Sequence, residues 1–143
     1  MPTASSADGP PAVPGQAFAL DNPALESMGV RITDWHEGRV ELALPVGPNM
    51  LNRSGVVHGG TICALLDAAT GYSGLYSPDK EKVLHAVTLS LTTNFLANGV
   101  GRMLVATGMV ERRGRSIFYS RGEVWLDGTM LVATGMATMK FLK

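Results

Sequence analysis

The chain has a single cysteine, few aromatic residues and no excess charge of either sign, and each shortage removes a class of protein. One thiol, Cys63, allows neither an internal disulfide nor a multi-thiolate metal site, which points to a reducing compartment. Twelve basic and twelve acidic residues cancel over 143 positions, so no global field draws the protein to nucleic acid or to an anionic membrane. No apolar run reaches the ~18 residues needed to span a bilayer. Gly99-Val100-Gly101 lacks a third glycine at Leu104, which excludes a dinucleotide fingerprint. Gly71-Tyr72-Ser73-Gly74 has the wrong spacing for a nucleophile elbow. His36 in a turn and His85 in a strand show no ligand spacing, so a metal is not expected, and no bound cofactor is implied.

What remains is an apolar content of 45% with 17% charged residues, enough for one domain with a substantial core. The first 16 residues are rich in Pro, Ser, Ala and Gly, and have neither a basic n-region nor an apolar h-region. They read as a flexible leader, with residues 17–143 as the folded domain and the cytoplasm as its expected location.

Residues 22–29 combine a capping Asn22, Pro23 at a first helical position and a terminating Gly29, which predicts a short helix. Residues 30–46 predict two strands turning at His36-Glu37-Gly38, and 47–57 a loop. From His58 to about Tyr76 the apolar residues Ile62, Leu65, Leu66, Ala69 and Tyr72 keep helical spacing. Cys63, Ala64 and Ala68 leave that helix almost no polar face, so it is expected to be buried. Four strands follow, at 83–96, 101–113, 115–126 and 129–142, with Asp127-Gly128 as a hairpin turn. In 83–96, Val83, Val87, Leu89, Leu91 and Phe95 alternate with Thr88, Ser90, Thr92 and Asn94. The hexapeptide LVATGM occurs at 104–109 and again at 131–136, read as two strands with similar packing demands. The expected architecture is α+β: an antiparallel sheet wrapped around one long central helix.

Within that helix ICALLDAA (62–69) carries one carboxylate, Asp67, among residues that are usually buried. Gly59 and Gly60 stand where the first helical amides lack intrahelical partners, a ready site for an anion or a carbonyl oxygen. An acid and an oxyanion donor on one element point to hydrolysis or proton transfer at a carbonyl. Gly60 and Asp67 are roughly 10 Å apart along the axis, at about 1.5 Å per residue, and the amides point away from the acid. Two such helices lying antiparallel would place each N-terminus opposite the other's carboxylate, so the site is expected to need a homodimer.

Asn52, Gly55, His58, Gly59, Gly60, Leu65 and Asp67 fill the pattern N-x-x-G-x-x-H-G-G-x-x-x-x-L-x-D. This stretch, with Gly114-Arg115-Ser116 and the closing D-G-x-x-L-V-A-x-G, resembles the phenylacetate-pathway branch of the hotdog-fold acyl-CoA thioesterases over about residues 20–143. The resemblance implies a hotdog fold and Asp67 as general base or nucleophile on the thioester. It also implies a Gly59 or Gly60 amide polarising the carbonyl, and Thr88 helping to hold the water. Asn52 and His58 would orient the thioester. It implies an acyl-CoA substrate and a homodimer, assembling further into a dimer of dimers. A non-catalytic acyl-CoA-binding domain and a hydroxyacyl-thioester dehydratase using His58 stay open as alternatives.

Arg102, Arg112, Arg113, Arg115 and Arg121 crowd a 20-residue window that holds one acid, Glu111. They form either a solvated edge or a landing place for coenzyme A phosphates, for which Arg113, Arg115 and Ser116 beside the Gly114 turn are the candidates. Tyr72, Tyr76, Met50, Leu51 and Phe95 are candidates to line the acyl pocket.

Overall fold

A computed structural model describes residues 18–143, and the proposed leader lies outside the described residues. The elements run α1 (Pro23–Met28), β1 (Arg31–His36), β2 (Arg39–Pro45), a 3-10 turn (Pro48–Met50), α2 (Gly59–Tyr72), β3 (Ala86–Phe95), β4 (Met103–Arg113), β5 (Ile117–Leu126) and β6 (Met130–Phe141). All six strands form one antiparallel sheet in the order β1-β2-β4-β5-β6-β3, folded over α2. This is the wrapped sheet that the pattern of apolar residues predicted. Among the described residues, no helix is long and apolar enough to cross a membrane.

Local chemistry sets the boundaries. Asn22 accepts the Leu25 amide at 3.2 Å, and Gly29 ends α1 in the left-handed region at φ +93°. Asp127 and Gly128, at φ +52° and +71°, form the turn between β5 and β6. The Asp127 carboxylate also accepts the amides of Arg102 and Met103, tying that turn to the start of β4.

Gly108, Gly122 and Gly135 pair side by side across β4, β5 and β6, making a row without side chains beneath α2. A Cβ on Gly108 would stand 2.0 Å from the Ala69 carbonyl oxygen, and those on Gly122 and Gly135 would press on Leu66 at 3.2 and 3.3 Å. The repeated hexapeptide therefore has a packing meaning: each copy places a glycine under the helix, flanked by Thr and Met on the outer face.

The helix is shorter than its sequence pattern, ending at Tyr72 rather than near Tyr76. The Ser73 hydroxyl donates to the Thr70 carbonyl, and Gly74 packs on the Phe118 ring where any Cβ would collide. Side chains from three strands satisfy its last carbonyls. Ser120 donates to Thr70 at 2.9 Å, Trp35 Nε1 to Tyr72 at 2.8 Å, and Arg113 to Gly74 at 2.8 Å.

The expectation of a helix buried all round is corrected. Ile62, Leu65, Leu66, Ala69 and Thr70 are buried against the sheet, whereas Gly60 and Asp67 are exposed and Cys63, Ala64 and Gly71 half-buried. One sheet covers one side of a helix, and the opposite strip of α2 is left open in the single chain. Beside it β3 forms the edge of the sheet, and Val83, Val87, Leu89, Phe95, Leu96 and Val100 in and around it are all exposed. Among the described residues, more than half of the large exposed apolar side chains thus lie along one edge.

Candidate active site

Asp67 sits in the middle of the open strip of α2, and the Thr88 hydroxyl of β3 donates to its Oδ1 at 2.5 Å. Strict alternation would place Thr88 on the face opposite Leu91. Instead β3 carries a bulge at Leu89: Thr88 pairs with Met139 and Ser90 with Thr138, leaving one residue over. The extra residue shifts the phase, so that Thr88 reaches Asp67 while Leu91 packs on the core and Thr93 accepts from the Cys63 thiol. The single carboxylate of α2 is thereby oriented through one oxygen, and Oδ2 has no partner among the described residues.

The other end of the strip is the helix start. His58 is the N-cap, and its Nδ1 accepts the Gly60 amide at 2.7 Å. The amides of Thr61 and Ile62 donate to the His58 carbonyl, whereas that of Gly59 has no partner among the described residues. Of the two glycines only Gly59 therefore offers a free amide. The cap also requires Nδ1 without a proton, which leaves His58 its Nε2 for any other contact. Asn52 lies in the preceding loop and accepts the amides of Ser54 and Val56, at 2.8 and 3.3 Å, so its carbonyl oxygen shapes the approach to the helix. Gly55 follows at φ +81°, a conformation that favours glycine.

Asp67 and Thr88 line a cleft of about 750 Å³ that extends along the C-terminal half of α2. Its walls include Ala68, Gly71, Tyr72, Leu75, Tyr76 and Met139. Trp35 anchors an aromatic side, with Phe18, Tyr72 and Tyr76 edge-on at centroid distances of 5.4 to 5.8 Å. Burial and the neighbouring Asp21 carboxylate push the Tyr72 phenol from 10.0 up to about 12, and its hydroxyl donates to Asp21 at 3.3 Å. Of the five residues expected to line an acyl pocket, Tyr72 and Tyr76 do line this cleft. Met50 is buried in the core, Leu51 is half-buried beside its Val57 bridge, and the Phe95 ring lies over Gly59 at the far end of the helix. Trp35 and Met139 are lining residues that sequence patterning missed. They are 32 and 72 positions from Asp67, and only the fold brings them to it.

The arginine candidates separate. The Arg113 guanidinium, besides holding the Gly74 carbonyl, lies 5.9 and 5.2 Å from the Phe118 and Phe141 ring centroids, a structural task at the end of α2. Arg115 and Ser116 are exposed, and the Arg115 side chain has no ion pair or hydrogen bond among the described residues. Among those residues no three His, Cys, Asp or Glu side chains come together as a metal site.

A family model described as the thioesterase superfamily matches residues 54–133, which include α2 and β3 to β5. The medium/long-chain acyl-CoA thioesterase YigI of Salmonella typhimurium is 23% identical over 137 residues, covering 87% of this chain and 88% of that protein. A conserved protein of Pseudomonas aeruginosa has the same fold with a TM-score of 0.77 and 27% identity, over 85% of this chain and 94% of that one. The PaaI protein of the E. coli phenylacetic acid degradation operon superposes with a TM-score of 0.75 at 24% identity, over 86% of each chain.

Proposed function

Because the chain belongs to the thioesterase superfamily, we propose that it hydrolyses acyl-CoA thioesters to a free acid and coenzyme A at a site shared by two copies. The observation that carries this reading is the Thr88 hydroxyl held on Asp67 along a helix strip whose other end presents the unpartnered Gly59 amide. Gly59 and Asp67 are eight residues apart, about 12 Å at a rise of about 1.5 Å per residue, too far to act on one carbonyl within a chain. A second copy laid antiparallel on the open strip brings its Gly59 amide to this Asp67. The free β3 edge and the exposed apolar residues around it support that arrangement, since two β3 edges would pair and the strips of α2 would cover each other.

In such a site Thr88 fixes one carboxylate oxygen and Oδ2 takes a proton from water or attacks the thioester carbon directly. The Gly59 amide of the second copy, at the positive end of its helix, stabilises the oxyanion. One such donor is worth about 3 kcal/mol at the transition state, and a positioned base about 10² to 10⁴ in rate. His58 keeps the Gly60 amide occupied and Asn52 shapes the loop, so both act as positioning residues. Arg115, with Ser116 beside it, is the candidate for the nucleotide phosphates. The outer sheet face, where Met109, Tyr119 and Met136 are exposed, is the surface on which two dimers would associate.

The test is Asp67→Asn assayed by free-thiol release from a panel of acyl-CoAs. Turnover is expected to fall at least a hundredfold while the dimer persists in sedimentation. Hydrolysis at the parent rate would overturn the reading.

A further inference from the structure

Glycine weakens a helix relative to alanine, so a helical glycine calls for a reason. Gly74, just beyond the end of α2, has one: a Cβ there would be 2.4 Å from the Phe118 ring. Gly60 at the helix start packs on its own histidine cap, at 2.9 Å from Nδ1. Gly71 has neither excuse. It is the penultimate residue of α2, still helical and without a positive φ, and a Cβ would meet only Met139 Cε and Sδ, at 3.7 and 3.9 Å, which is ordinary contact. It also stands four residues after Asp67, one turn further along the same helix face, and lines the cleft with Ala68, Tyr72 and Leu75.

We propose that Gly71 is a specificity-determining residue, its missing side chain keeping open a path for an acyl chain that leaves Asp67 and runs along α2 toward the aromatic wall. This rests on the acyl-CoA hydrolase reading and adds the substrate class: acyl groups long enough to pass Gly71, with apolar distal carbons. The step from Asp67 to Gly71 is about 6 Å at a rise of about 1.5 Å per residue, roughly the span of four or five carbons. Acyl groups shorter than that never reach Gly71. Longer ones pass over it and continue along Leu75 and Tyr76, above the buried Met139, a stretch of apolar and aromatic lining that suits a hydrocarbon rather than the polar pantetheine arm.

The experiment compares kcat/KM for octanoyl-CoA and acetyl-CoA in the parent, Gly71→Ala and Gly71→Leu, with thermal unfolding of each. The octanoyl-to-acetyl ratio is expected to fall about threefold in Gly71→Ala and at least thirtyfold in Gly71→Leu, with the alanine variant at or above the parent Tm. Gly71→Ala keeps the test valid if the leucine side chain disturbs folding. A ratio that stays at the parent value in both variants, or both substrates declining together, would overturn the proposal. A parent protein that cleaves neither thioester would instead overturn the hydrolase reading on which it rests.

Discussion

Thr88 on an edge strand donates its hydroxyl to Asp67 on the central helix, 21 residues earlier in the chain. A hydrogen bond to a charged acceptor is worth about 1.5 to 3 kcal/mol, which corresponds to a rate effect of about 10- to 100-fold if it is used to aim the carboxylate. Thr88→Val keeps the branched shape and removes the donor. Its kcat is expected to fall by about that factor with KM little changed, and Thr88→Ser to recover most of the loss. Parent kinetics in the valine variant would remove Thr88 from the mechanism.

The proposed sharing of the site between two copies predicts complementation between two impaired variants. Gly59 is the first residue of α2, where proline is well tolerated, and the preceding His58 already has the extended backbone (φ −65°, ψ 135°) that a following proline requires. Gly59→Pro therefore deletes one amide hydrogen with little cost to the helix. Alone it is expected to lose about 10²-fold in kcat, as for removal of an oxyanion donor. Mixed and reassembled with Asp67→Asn, it is expected to regain activity, because each mixed dimer restores one intact pair. Mixtures no more active than their parents, under conditions where subunit exchange is demonstrated by mass, would place both groups in one chain.

Gly108→Ala addresses the fold rather than the chemistry. Its Cβ would lie 2.0 Å from the Ala69 carbonyl oxygen, a backbone atom that cannot swing away. Overpacking of this kind costs about 1 to 3 kcal/mol or more, so a marked fall in the urea midpoint is expected. Gly38→Ala provides the contrast, since a Cβ there meets nothing within 4 Å and only the backbone φ of +77° is penalised. A Gly108→Ala midpoint equal to that of the parent would mean that α2 does not rest on the glycine row.

Tyr72 supplies a pH signature. Its folded phenol is raised from 10.0 to about 12, first by burial and then by Asp21. The native state thus holds this proton more tightly than the unfolded chain. The associated stability is complete below about pH 10 and is lost as the pH climbs toward 12. Urea unfolding across that window is expected to show a decline that is smaller in Tyr72→Phe, and a late tyrosinate absorbance step that this variant lacks. An identical decline in both proteins would contradict the assignment.

Much of this was legible in the chain before its fold was known. Asn22, Pro23 and Gly29 delimit α1, Asp127-Gly128 marks its hairpin, and His58-Gly59-Gly60 opens α2, because caps and turns are decided by neighbouring residues. The bulge at Leu89 was not legible: hydrophobic alternation has two phases, and a single inserted residue switches between them without changing composition. The last turn of α2 misled for a related reason, since its apolar pattern continues to Tyr76 while strand side chains claim its carbonyls earlier. The exposure of Asp67 follows from a helix that reads as buried on all sides but has one sheet to bury it. The ring contacts of Arg113 were not legible either, because Phe118 and Phe141 reach it through strand pairing, 5 and 28 positions away.

The hydrogen bonds from Trp35, Ser120 and Arg113 to the end of α2 have a mechanical consequence. They moor that end to β1, β5 and β4 together, so displacing residues 70–74 would break hydrogen bonds to three strands at once. Asp67 stands within two turns of this anchored segment, so its bearing on Thr88 is set within the single chain.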